Sequence, residues 1–288
     1  MKDTFLVHFE PDQVSVSVPA GTSIAAAAKR AGVFLDAPCG GNGTCKKCSV
    51  AIKISGEAKT VLACQTAVSV DCTVILPNSS TLSALEQGAS RSVDWDPYPG
   101  ARTDLLGACF AAFDLGTTTI VCYLLDAKSG KELSVQSAQN PQAAFGADVI
   151  ARASYALDHG GEALRESALS ALNSLLRSAC SAAGRTAEQV VLTSIVGNTV
   201  MQHLLLGYSV ESLVRAPYVP FRSDLRVMRA QELGLDAHES CAVLLPPVIG
   251  GFVGADTVGC LSAAAFDERK APTLMIDIGT NGELALTD

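Results

Sequence analysis

Aromatic side chains are scarce in this 288-residue chain, at 5% with a single tryptophan, and charged residues reach only 17%. Basic residues are also in deficit: 21 Lys and Arg face 29 Asp and Glu, a net charge of −8, which excludes a protein built to lie along phosphate backbones. Four histidines are present, His8, His159, His203 and His238, and no two stand at ligand spacing. The N-terminus, MKDTFLVHFE, lacks the basic stretch, apolar core and small-residue cleavage site of a secretory signal, so a cytoplasmic chain is expected. An uninterrupted membrane span is missing too. The longest apolar stretch, 242–266, carries Pro246-Pro247 and Asp256 and reads as buried core, and no membrane partner is expected.

Apolar residues are plentiful, 48% of the chain, which excludes general disorder and supports at least two packed domains at roughly 100–200 residues each. Residues 4–9 and 14–18 alternate apolar and polar, predicting a hairpin that turns at Pro11 and Asp12. Thr22 or Ser23 can cap a short alanine-rich helix over 24–31, and Gly32 stops it. Strands are predicted at 49–54 and 66–76, making 1–77 one compact unit. Residues 78–108 lose periodicity and gather Ser, Gly, Pro and mixed charge, the pattern of a linker. Strands near 110–114 and 119–125 follow, then a long helix with Leu164, Ala168, Leu169, Leu172, Leu175 and Leu176 on one face, so 109–270 is expected to be an α/β unit.

Ten cysteines in a reducing compartment do not read as a disulfide framework. Cys39, Cys45, Cys48 and Cys64 instead form C-x5-C-x2-C-x15-C. Four thiolates can hold a structural zinc ion or an iron-sulfur cluster. Zinc ribbons present two C-x2-C knuckles, and only one is found here; three cysteines on one loop and a fourth at a distance is the arrangement that holds 2Fe-2S clusters. Gly40, Gly41 and Gly43 let the loop take positive φ and aim amides at cluster sulfurs. Residues 1–77, including Leu62-Ala63-Cys64-Gln65, resemble the β-grasp ferredoxin family, although the x15 interval is shorter than in many members. Lys46 and Lys47 are read as solvated surface, and most of Cys72, Cys109, Cys122, Cys180, Cys241 and Cys260 as small buried hydrophobes.

Residues 113–126 read FDLGTTTIVCYLLD and 276–288 read IDIGTNGELALTD, which aligns Asp114 with Asp277, Gly116 with Gly279 and Thr117 with Thr280. Such a repeat suits a nucleotide. Glycine admits phosphate to the backbone, threonines and amides donate to its oxygens, and an aspartate at a strand end orients hydrated Mg2+. The paired loops resemble those of the acetate and sugar kinase, actin and heat-shock chaperone superfamily, with an actin-like, ribonuclease H-like α/β fold. That resemblance implies nucleotide roles for Asp114, Gly116, Thr117, Thr118 and Thr119, and for Asp277, Gly279, Thr280 and Asn281.

Between the loops stand Asn140-Pro141-Gln142, Gly146-Ala147-Asp148, Val196-Gly197-Asn198-Thr199 with Met201-Gln202-His203, and Gly254-Ala255-Asp256-Thr257. Each can equally be a strand-to-helix corner with a capping side chain. Asn198, a neutral amide where a kinase of this superfamily needs a carboxylate, favours ATP binding and hydrolysis over phosphoryl transfer. His203 reads as packed. Asp236-Ala237-His238 begins the D-x-H-x-x-G signature of a cobalt ligand, but Cys241 replaces its glycine.

A 2Fe-2S β-grasp domain, a linker and an actin-like ATPase domain in this order resemble the reductive activators of corrinoid proteins over essentially the whole chain. The resemblance implies a one-electron reduction of Co(II) to Co(I) in a corrinoid methyl-transfer protein, with ATP and Mg2+ as further cofactors and an upstream electron donor. Other readings are an activator of another low-potential enzyme, a plain electron-transfer module, and a small-molecule kinase with a redox domain. Asp277 lies eleven residues from the last residue, so 271–288 is expected to open a second subdomain whose remainder lies outside this chain.

Overall fold

The computed structural model describes residues 4–11, 13–33, 35, 41–44, 46–54, 56–76, 102–278 and 282–287. The chain divides into two compact units, Met1–Ser83 and Ala84–Asp288. The predicted linker, 78–108, lies largely outside the described residues.

In the first unit, β1 (Thr4–Glu10) and β2 (Val14–Pro19) pair antiparallel, as their alternation requires. Ser23 accepts the Ala26 N–H and caps α1 (Ile24–Arg30), and Gly32 follows at φ +70°. Then come β3 (Ser49–Ile54), β4 (Glu57–Leu62) and β5 (Cys72–Ile75). The sheet order is β2-β1-β5-β3-β4 with β1 and β5 parallel. Helix α1 lays Ile24, Ala27 and Ala28 onto Val7, Phe9, Val18, Val50 and Val74, the β-grasp arrangement.

The strand predicted at 66–76 shrinks to 72–75. Residues 66–68 instead tie down the helix start: Ile24 N–H donates to the Thr66 carbonyl, Gly21 N–H to Val68 and Val68 N–H to Thr22. Strand β4 escapes prediction because it is a polar edge, Glu-Ala-Lys-Thr, exposed on both faces.

The second unit opens with a meander of β6 (Cys109–Leu115), β7 (Thr119–Asp126) and β8 (Glu132–Gln139). Next are α2 (Val149–His159), α3 (Glu162–Ala182), β9 (Val190–Val196), α4 (Thr199–Leu206) and the single turn α5 (Glu211–Val214). The unit continues with β10 (Arg226–Arg229), α6 (Ala230–Leu233), β11 (Ala242–Leu245) and α7 (Ala255–Ala263). A separate hairpin of β12 (Leu274–Ile278) and β13 (Gly282–Leu286) closes it.

The main sheet runs β10-β11-β9-β6-β7-β8; β6, β9 and β11 are parallel, and β7 is antiparallel to both neighbours. This mixed sheet with helices packed on it is an α/β arrangement, the class expected for this part of the chain. Helix α3 buries the predicted leucine face against β7 and β8. The edge strand β8, ELSVQSAQ, alternates only at Leu133 and Val135 before turning polar, and is missed by sequence reading. Among the described residues, no helix is long and apolar enough to cross a membrane.

Leu172, on the inner face of α3, is fully buried, whereas Leu106 is 92% exposed. Leu172→Ala is expected to cost about 2–5 kcal/mol and Leu106→Ala within about 0.5 kcal/mol, measured by urea unfolding of the full chain.

Candidate functional site

Two groups of residues concentrate chemistry, one in each unit. In the first unit, Cys48 is fully buried at the entry to β3 and Cys64 lies in the turn after β4. The β3–β4 register and the Ala63 N–H bond to the Cys48 carbonyl draw them together, and their sulfurs stand 3.3 Å apart. Gly41 and Gly43 take φ of +92° and +72°, as loop glycines near a cluster must be free to do. Gln65 fastens the loop: its Nε2 donates to the Gly41 carbonyl at 2.5 Å and lies 3.8 Å from the Cys64 sulfur. A Cβ on Gly43 would come within 3.0 Å of Gln65 Cγ, so glycine leaves room for this tether. Gln65 was visible in sequence only as context. Cys39, Cys45 and Gly40 lie outside the described residues.

In the second unit, Asp114 stands near the end of β6, Gly116 to Thr118 form the turn, and Thr119 starts β7. A Cβ on Gly116 would sit 2.5 Å from the Thr119 carbonyl oxygen, so the turn admits only glycine there. Thr117 is buried, and Asn198 Nδ2 donates to its hydroxyl at 2.9 Å. The same Asn198 caps α4 through its Oδ1, which accepts the Met201 N–H. Gly197 and Gly254 let β6, β9 and α7 meet backbone to backbone: added Cβ atoms would lie 2.8 Å from the Leu115 carbonyl oxygen and 2.5 Å from Asn198 Cα.

This packing brings Asp256, in the first turn of α7, and Asp277 of β12 into electrostatic range of Asp114. Asp114 is exposed to solvent, yet enough protein crowds its carboxyl to desolvate it in part. Desolvation first, then Asp256 and Asp277, push it up to about 6. Burial, and then the Asp277 charge, also raise Asp256, and Glu283 rises for the same reasons with Asp256 added. Among the described residues, no three His, Cys, Asp or Glu side chains converge closely enough to ligate a metal directly. A hydrated Mg2+ that keeps its own waters places a looser demand, which separated carboxylates can meet. Gly279, Thr280 and Asn281, which align with Gly116, Thr117 and Thr118 in the repeat, lie outside the described residues; the strands on either side pair, with Asp277 opposite Glu283.

The bland reading of the corners holds in part. Asp148 caps α2 by accepting the Ala151 N–H, and Asn140 caps the 3-10 turn Pro141–Ala144. His203 is packed and neutral. Its Nδ1 lies 2.8 Å from the Thr199 carbonyl oxygen, its Nε2 accepts the Arg222 N–H at 3.4 Å, and burial lowers its pKa. Asp236 pairs with Arg177 at 2.7 Å and His238 Nδ1 contacts Ser240 Oγ at 2.8 Å. Cys72, Cys109, Cys122, Cys180 and Cys241 are buried; Cys260 alone of the six is exposed, and its thiol pKa is raised by desolvation and then by Asp277, Asp256 and Asp114.

Because folding raises the Asp114 pKa from 3.8 to about 6, the folded state binds the extra proton between those values. Its contribution to stability is present below pH 3.8 and lost as pH rises through about 6. Asp114→Asn is therefore expected to raise the melting temperature at pH 7.5 and to have little effect at pH 4, measured by calorimetry at both values.

Comparison with known proteins gives both units a family. A 2Fe-2S iron-sulfur cluster binding domain matches residues 7–69, and the RACo middle region matches residues 109–269. The corrinoid activation enzyme RamQ of Eubacterium limosum is 30% identical over 328 aligned positions, covering 88% of this chain and 54% of that protein. The solved structure of a reductive activator for corrinoid, iron-sulfur protein matches with a TM-score of 0.63 at 26% identity, over 98% of this chain and 61% of that one. The chain spans little more than half the length of these relatives. With more than half of its residues in the matched middle region and a 2Fe-2S cluster binding domain ahead of them, the chain belongs to the RACo family.

Proposed function

We propose that this chain supplies the electron-carrying part and the paired phosphate loops of the nucleotide site of an ATP-dependent reductive activator, whose partner is a corrinoid methyl-transfer protein. The observation that carries this reading is the joining of a 2Fe-2S binding domain to the RACo middle region in one chain, aligned over nearly its whole length with a corrinoid activator. Cys39, Cys45, Cys48 and Cys64 are the cluster ligands in this reading; the close approach of Cys48 and Cys64 and the positive-φ glycines beside them fit that donor set. Bound there, a 2Fe-2S cluster supplies a one-electron donor near roughly −400 mV, and the partner's cobalt takes that electron in passing from Co(II) to Co(I).

The cobalt couple lies lower still, so the transfer runs uphill and needs coupling to a second process. Each ~59 mV of gap in this one-electron transfer is a factor of ten in equilibrium, about 1.4 kcal/mol. Asp114, Gly116, Thr117, Thr118 and Thr119 would hold ATP phosphates and hydrated Mg2+ on one side, with Asp277, Gly279, Thr280 and Asn281 opposite. The close-packed glycine junction gives ligand binding at this loop a direct mechanical route into β6, β9 and α7.

After anaerobic reconstitution, about two irons and two sulfides per chain are expected, with the visible spectrum of a 2Fe-2S protein, and Cys48→Ser or Cys64→Ser should lose most of that absorbance. The reduced full-length protein should convert a Co(II) corrinoid protein to Co(I) faster with MgATP than without. Equal rates with and without MgATP would end the coupling, and an unchanged spectrum in both serine variants would end the ligand assignment.

A further inference from the structure

Arg152 is the largest fully buried side chain of the described residues. Among those residues no carboxylate comes within salt-bridge distance of it. Its contacts are neutral: Nη2 donates to the Thr117 carbonyl at 2.7 Å, Nε donates to the Gly146 carbonyl at 2.9 Å, and Nη1 lies 3.5 Å from Gln142 Oε1 and 3.3 Å from Met201 Sδ. Buried guanidinium groups are ordinarily paired. Desolvation pulls this one down to about 10, opposed by the more distant Asp148, and it stays charged at neutral pH.

The guanidinium lies directly behind the 116–118 turn, and it does not hold that turn alone. Asn140 Nδ2 donates to the Gly116 carbonyl at 2.7 Å, and the Asn140 N–H donates to the Thr118 carbonyl at 2.8 Å. Three successive carbonyls, Gly116, Thr117 and Thr118, are thus drawn toward the protein. In a trans peptide the next N–H points opposite to the carbonyl, so the N–H groups of Thr117, Thr118 and Thr119 face the other way. Among the described residues no acceptor takes the Thr117 or Thr118 N–H. Successive outward amides make a concavity for an anion.

The rest of the network keeps these anchors in place. Gln142 is fully buried, gives its Nε2 proton to the Leu164 carbonyl and its N–H to Asn140 Oδ1. Gly146 abuts the first turn of α2: an added Cβ would lie 2.7 Å from the Arg152 nitrogen and 2.8 Å from the Ala151 carbonyl carbon. The Asn-Pro-Gln and Gly-Ala-Asp corners therefore converge on the turn, which is more than capping.

We propose that Arg152 and Asn140 are positioning residues for a polyphosphate: together they aim the Thr117 and Thr118 amides at it, and the unpaired Arg152 charge lies behind the turn as its counter-charge. Asp114, Asp256 and Asp277 would otherwise repel such a polyanion, so a cation behind the loop and a hydrated divalent ion before it divide the task. This inference rests on the nucleotide reading of the loop.

Calorimetric titration of the full chain with MgATP and with sodium tripolyphosphate tests it. Arg152→Met keeps an apolar side chain of similar length and removes the charge; it is expected to weaken both ligands by about tenfold or more, and Arg152→Lys to recover part of that loss. If the wild-type chain binds neither ligand, the nucleotide reading fails and takes this inference with it. If the wild type binds and Arg152→Met binds within about twofold of it, only the role of Arg152 is overturned, since packing alone then suffices. Should Arg152→Met fail to fold, Arg152→Lys decides: a loss of about threefold at an unchanged unfolding midpoint supports the proposal, and unchanged affinity overturns it.

Discussion

The parallel pairing of β6 with β9 sets Asp114 beside Val196, and at the strand ends it brings two backbones so close that a Cβ on Gly197 would lie 2.8 Å from the Leu115 carbonyl oxygen. Gly116 and Gly254 extend the same contact to the start of β7 and the first turn of α7. Without that contact the side chains of the site would not meet. Asn198 could no longer reach the Thr117 hydroxyl, and Asp256 would leave the field of Asp114. The chemistry of the loop follows from backbone contact before any ligand is considered.

Charge around this loop is arranged in layers. Carboxylates stand at its mouth, where their mutual repulsion and partial burial hold protons to higher pH than usual, and a guanidinium without a carboxylate partner stands behind it. An anion bound with a divalent cation satisfies both layers at once. Either ion alone leaves one layer uncompensated, which favours joint binding of polyphosphate and metal over binding of each separately. The first unit uses a different economy: two thiols close together, glycines with positive φ and one glutamine holding the loop.

Much of this was legible in the sequence wherever one physical rule dominated. Period-two alternation located β1 and β2, apolar spacing located α3, and the repeated Asp-x-Gly-Thr located both strand-turn-strand units. The edge strands β4 and β8 were not legible: β4 is polar and exposed over most of its length, and β8 is mostly polar and only partly buried. Residues 66–68, at the start of the predicted strand, spend their hydrogen bonds on the start of α1, a tertiary demand that sequence pattern does not carry. Gln65 and Arg152 were missed for a related reason: each acts on backbone carbonyls distant in sequence or hidden in a turn, and no spacing rule marks a side chain that serves another segment's carbonyl.

The proposed nucleotide site depends most directly on the outward-facing amides of the 116–119 turn. Amide resonances of the isotopically labelled chain, followed by NMR during titration with MgATP, test this directly. The account predicts that Thr117 and Thr118 shift first and furthest, with Gly197 and Asn198 following through the shared backbone contact. Saturating MgATP that leaves the Thr117 and Thr118 resonances in place, or moves only residues far from this turn, would contradict it.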